Sequence, residues 1–144
     1  GHRACTCAGS RRVAGRPCGN CWSCGEALGG EERVFIAPDG RRMYSASSDE
    51  TVRWWDLYDG REVRSVIAHP KGAFSLALSF DGRLLASGGQ DGTIKLWDAQ
   101  SGRELRSWQA HSTLVADLGF TADASLLISA SNDLTLKVWG VEAP

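Results

Sequence analysis

Asp49, Asp91 and Asp133 stand 42 residues apart (91 − 49 and 133 − 91), and a whole neighbourhood of residues moves with them. Ser45, Ser87 and Ser129 keep the same step, as do Thr51, Thr93 and Thr135, and Trp55, Trp97 and Trp139. His69 and His111 join the series. A fixed period of this length means that one supersecondary unit is built several times. Each unit then buries its apolar faces against its neighbours rather than alone. Any local motif must therefore be read as one member of a set before it is read as a site.

The copies run from 33 to 70, from 71 to 112 and from 113 to 144. Each opens with an apolar stretch, at Val34-Phe35-Ile36, at Phe74 to Leu78 and at Leu114 to Phe120. Asp39-Gly40 and Asp81-Gly82 follow, and Asp-Gly between two apolar runs signals a hairpin because Gly tolerates positive φ. The third copy has Asp123-Ala124 instead, so a different turn is expected there. A second strand is predicted at Met43–Ala46, Leu84–Ser87 and Leu127–Ala130, and a third at Thr51–Trp55, Thr93–Trp97 and Thr135–Trp139. The third strands alternate as strands do, with Arg53, Lys95 and Lys137 making one basic edge. Gly60-Arg61-Glu62 and Gly102-Arg103-Glu104 open a fourth strand in the first two copies only.

With Trp55-Asp56 and Trp97-Asp98 closing the third strands, the chain resembles the WD-repeat β-propeller family over residues 33–144. The resemblance implies an all-β fold. It would be a partial propeller of about three blades, each a four-stranded antiparallel sheet, with the last blade lacking its outer strand. It also implies a hydrogen-bonded structural tetrad of His, Ser, Asp and Trp in each blade. Carried onto this chain, the full sets are His69, Ser87, Asp91, Trp97 and His111, Ser129, Asp133, Trp139. The first copy supplies Ser45, Asp49 and Trp55, but position 27 (69 − 42), where its His would stand, is Ala27. The chemistry of the set is coherent, because a buried carboxylate needs donors that His, Ser and Trp side chains possess. A His-Ser-Asp trio also suggests a nucleophilic triad, but a triad is one exposed geometry. A trio that recurs once per repeat is architecture, so no catalytic residue is assigned and the chain is not expected to be an enzyme.

Residues 1–32 break the register and hold all five Cys of the chain. Cys18, Cys21 and Cys24 make C-x₂-C-x₂-C, which invites a metal reading. The spacing fits neither a zinc ribbon, with two separated pairs, nor the ferredoxin run, with a fourth Cys close behind. No His follows either pair, which excludes haem attachment. The segment is expected to be a flexible Cys/Gly/Arg-rich lead, or not native to the repeat, with no metal and no cofactor. At the other end the chain stops at Val141-Glu142-Ala143-Pro144, just after a third strand. It therefore reads as the C-terminal part of a larger propeller, needing additional blades or self-association for closure.

The formal net charge of −1 gives no field that would favour nucleic acid or a membrane surface. No apolar run is long enough to span a bilayer, and no signal-peptide pattern opens the chain. Free cysteines without a secretory signal favour an intracellular protein. The expected function is a non-catalytic protein–protein interaction scaffold that binds a protein or peptide on one propeller face. The resemblance places that face at Ser48, Lys71, Phe74, Gln90, Leu114, Ala116 and Asn132. The alternative is the regulatory propeller of a larger enzyme or signalling protein whose catalytic domain lies upstream.

Overall fold

The computed structural model describes residues 31–141 together with two short segments, β1 (Thr6–Cys7) and β2 (Ser10–Arg11), which pair with each other. Cys18, Cys21, Cys24 and the expected lead segment around them lie outside the described residues, as do the last three positions. No helix occurs among the described residues, and none is long and apolar enough to cross a membrane.

Three antiparallel sheets follow in sequence order. The first is β3 (Glu31–Ile36), β4 (Arg42–Ser47), β5 (Thr51–Asp56) and β6 (Arg61–Ile67). The second is β7 (Ala73–Leu78), β8 (Leu84–Gly89), β9 (Thr93–Asp98) and β10 (Glu104–Gln109). The third has three strands, β11 (Val115–Phe120), β12 (Leu126–Ser131) and β13 (Leu136–Gly140). Each sheet is a meander, as short connections require of antiparallel neighbours. Each first strand carries a register shift at the same place, before Arg33, Ser75 and Asp117. The 42-residue period is thus a period of structure down to its irregularities.

The turns between first and second strands share one geometry. Asp39, Asp81 and Asp123 each accept, through Oδ1, the backbone N–H two residues on. The residue after each Asp has positive φ: 69° at Gly40, 74° at Gly82 and 60° at Ala124. The expectation of a different turn at Ala124 is therefore corrected. The aspartate and its hydrogen bonds to Thr121, Ser125 and the backbone hold Ala124 in the left-handed region that Gly enters freely.

Because strand side chains alternate, each sheet has two faces that the period maps onto one another. One face of the first sheet presents Tyr44, Ala46, Val52 and Trp54 to Leu76, Leu85 and Trp97 of the second. The second sheet presents the equivalent Ala86, Ile94 and Leu96 to Val115, Leu118 and Leu127 of the third. Trp54 anchors the first junction: it is 1% exposed, meets Trp97 edge-on at 5.7 Å, and donates its indole N–H to the Ala99 carbonyl at 2.9 Å. Burying a Trp of roughly 200 Å² stabilises by about 5 kcal/mol before entropy is counted. The matching positions of the third sheet, Ile128, Leu136 and Val138, are exposed, as are Val34 and Ile36 on the outer face of the first. Among the described residues the blades form a row whose two outer faces are uncovered and which does not close.

Candidate functional site

Trp55, Trp97 and Trp139 each donate an indole N–H to the Ser ten residues earlier, Ser45, Ser87 and Ser129, all at 2.9 Å. Trp and Ser stand diagonally on paired strands, each two register positions from the other's opposite residue, so sheet register places them on one face within reach. His69 Nε2 lies 2.8 Å from Ser87 Oγ, and His111 Nε2 lies 2.7 Å from Ser129 Oγ. Each Ser thus joins strand, loop and Trp in the two copies that have a His. Burial pulls the pKa of His69 down to about 4, against the pull of Asp91, so the ring is neutral at pH 7.

The aspartates are arranged otherwise than a buried carboxylate would be. Asp49 is exposed, and Asp91 and Asp133 are half-buried at the rim. His69 Nδ1 meets the Thr93 hydroxyl at 2.8 Å, and that hydroxyl donates to Asp91 Oδ1 at 2.7 Å. Threonine therefore relays between ring and carboxylate in the second blade. In the third blade His111 Nδ1 reaches both Asp133 Oδ2 and the Thr135 hydroxyl at 3.0 Å. Hydrogen bonding by the Thr135 hydroxyl is the largest influence holding the Asp133 carboxyl well below the usual range. In the first blade Arg53 pairs with Asp49 at 2.8 Å and also faces Glu62. The period shows Thr51, Thr93 and Thr135, but a relay depends on side-chain distances that spacing does not contain.

The expected partner-face residues gather at one end of the blades. Gly72, at φ 126°, packs so closely that an added Cβ would lie 2.6 Å from the Phe74 ring and 3.3 Å from the Ser48 Cα. Its carbonyl accepts the Gln90 N–H at 2.9 Å. Ser48, Phe74 and Gln90 are therefore neighbours across the first two blades. Lys71 is exposed, and its backbone N–H donates to Glu50 Oε2 at 2.6 Å. At the next junction the Leu114 carbonyl accepts from the Asn132 N–H at 3.2 Å and from the Ser131 hydroxyl at 2.8 Å. Ala116 lies within the β11 register shift, half-buried. Phe74, Gln90 and Leu114 are also half-buried, whereas Ser48 and Asn132 are exposed.

Glu50 carries no signal in the sequence. It adopts φ 81°, and its carbonyl accepts the N–H groups of Ala68 and His69. Gly92 does the same for Ala110 and His111. The basic row is engaged within the fold: Lys95 pairs with Glu104 of its own blade at 2.9 Å, and Lys137 donates across the junction to the Ala110 carbonyl of the second copy at 2.7 Å.

The family profile described as "WD domain, G-beta repeat" matches residues 32–56, 60–98 and 102–140. Among solved structures the chain is similar to the one described as "Structure of U3-55K", with 29% identity and a TM-score of 0.76. That match covers 79% of this chain and 37% of the other. "Crystal structure of RRP9 WD40 repeats" is as similar, with 29% identity, a TM-score of 0.76, and coverage of 79% and 36%. The chain spans little more than a third of the length of these relatives.

Proposed function

The chain belongs to the WD domain, G-beta repeat family, and on that premise we propose that it is a non-catalytic scaffold for a protein or peptide partner. The contact surface is the blade end formed by Ser48, Lys71, Phe74, Gln90, Leu114, Ala116 and Asn132. One observation carries the reading. At this end the residues that repeat are tied up with one another, while those that differ from copy to copy make up the rim. Phe74, Gln90 and Ser48 meet around Gly72, so an apolar ring stands among polar groups, the usual make-up of an interface anchor. The trios that could act as nucleophile and base are occupied in hydrogen bonds between strands, so the scaffold catalyses nothing itself. Further blades, carried by a longer chain or a second molecule, cover the two outer faces.

The test is retention of partners on immobilised protein carrying Phe74→Ala or Gln90→Ala, with thermal melts alongside. Truncating an anchor of this kind weakens binding by about 1–3 kcal/mol. Loss of a common partner with an unchanged melt is the expected result. Full retention by both variants would move the binding surface elsewhere, and a collapsed melt for Phe74→Ala would assign the ring to the core.

A further inference from the structure

Asp49, Asp91 and Asp133 hold one position in three copies, and each commits Oδ1 to the threonine two residues on. Their second oxygens differ. Asp49 Oδ2 meets the Arg53 guanidinium at 2.8 Å. Asp133 Oδ2 lies 3.0 Å from His111 Nδ1 and accepts the Ser112 backbone N–H at 3.3 Å. Asp91 Oδ2 has no hydrogen-bond or ion-pair partner among the described residues. Each group that fills this place in another copy is missing here or turned away. Lys95, at the position of Arg53, pairs with Glu104 at 2.9 Å. His69 turns Nδ1 to the Thr93 hydroxyl at 2.8 Å. At the position of Ser112 stands Pro70 (112 − 42), whose ring nitrogen has no hydrogen to donate.

The open oxygen belongs to the blade end that bears Phe74. Gln90, next to Asp91 in the chain, donates its backbone N–H to the Gly72 carbonyl at 2.9 Å, and Gly72 packs against the Phe74 ring. Only Ser75 Oγ and Trp108 Nε1 are sealed from solvent without a partner among the described residues, so the Asp91 oxygen can be reached by a ligand. Lys71 stands exposed on the same loop as Pro70 and forms no ion pair among the described residues. A half-buried carboxylate is thus left without a cation of its own, beside a half-buried aromatic ring. In such surroundings an ion pair is worth more than in open water.

We infer that the partner bound at this blade end is a peptide segment with a basic anchor: a lysine or arginine donates to Asp91 Oδ2 while the apolar residue beside it rests on Phe74. The inference builds on the scaffold reading above and gives its partner a charge. The repeat itself supplies the precedent, because Arg53 makes the equivalent bond to Asp49 from within the chain. In the second copy that bond is left for a ligand to make.

The experiment uses the full 144-residue chain and dye-labelled, capped alanine peptides bearing leucine next to arginine, lysine, norleucine or glutamate, followed by fluorescence anisotropy. The arginine and lysine peptides are expected to bind saturably and about tenfold tighter than the norleucine peptide, the worth of one hydrogen bond to a charged group. The glutamate peptide should bind weakest. Asp91→Asn should bring both basic peptides to the norleucine level. Its melting temperature should stay near that of the unaltered chain, because asparagine keeps Oδ1 for Thr93 and the oxygen it replaces has no partner. Asp133→Asn should melt lower, since an amide nitrogen there would face the Ser112 N–H, and should keep the preference for basic peptides. Pro70→Ser, which supplies the N–H that Ser112 supplies in the third copy, should also weaken the basic peptides. Equal affinity for the arginine and norleucine peptides, or an undiminished arginine peptide on Asp91→Asn, would overturn the inference. So would an Asp91→Asn melt lowered as far as that of Asp133→Asn, which would mean that Oδ2 is engaged within the fold. In each of these cases the scaffold reading stands if Phe74→Ala weakens every peptide. Absence of saturable binding by any peptide would overturn both.

Discussion

At the scale of single residues, the serines do more than the aspartates. Ser87 Oγ is fully buried between the Trp97 indole N–H and His69 Nε2. Its removal strands two polar groups where water does not reach. Ser87→Ala is expected to destabilise the chain by about 2–4 kcal/mol in urea unfolding. Ser45→Ala should cost about half as much, because among the described residues Trp55 is the only partner of its hydroxyl in the tetrad pattern. Equal losses would show that the histidine bond contributes nothing. The Trp–Ser pairs were legible in the sequence because register fixes them. The threonine relay and the Arg53–Asp49 pair were not, because each answers to a distance in space. Arg53 Nη2 stands 2.8 Å from Asp49 Oδ2 in the one blade whose histidine position is Ala27.

Among elements, the hairpin turns show how far a motif can be trusted. Asp-Gly at 39–40 and 81–82 announced the turn through glycine's freedom at positive φ. At 123–124 glycine is missing and the turn is kept, because the aspartate side chain and its neighbours dictate it. Sequence reasoning weighted the permissive residue and missed the directing one. Ala124 consequently carries the strain of a left-handed conformation at φ 60°. Ala124→Gly should relieve it and stabilise the chain by about 0.5–1 kcal/mol, less whatever the unfolded chain gains in entropy. A raised melting temperature checks this. A lowered one would mean that the entropy of the unfolded glycine outweighs the strain. The cleft of about 530 Å³ between the first two sheets was also beyond sequence reading, since Asp81 and Gln100 of the second copy join Tyr44, Arg42 and Asp56 of the first only when the two copies are docked.

For the molecule as a whole, the decisive feature is the asymmetry of coverage. Ile94 and Leu96 are 0% and 3% exposed in the second sheet, whereas their counterparts Leu136 and Val138 are 73% and 62% exposed in the third. An apolar blade face of this kind seeks a neighbour. The isolated chain is expected to self-associate in a dilution series followed by light scattering. Leu136→Lys with Val138→Lys should shift it toward the 15.5 kDa monomer without loss of strand signal in circular dichroism. A monodisperse monomer before any substitution would show that the faces need no cover. The all-β architecture and the count of strands per blade were legible because period, turn and alternation agreed.

Among the described residues the second sheet is the only one flanked on both faces, and its strand β8 is buried at every position. That places the chain's deepest backbone amides in its middle rather than at either end. In deuterated water, label would enter from the outer blades inward, and β8 would be the last to accept it. The same order read backwards describes assembly: a central sheet that forms first becomes the template on which the blades to either side take their register.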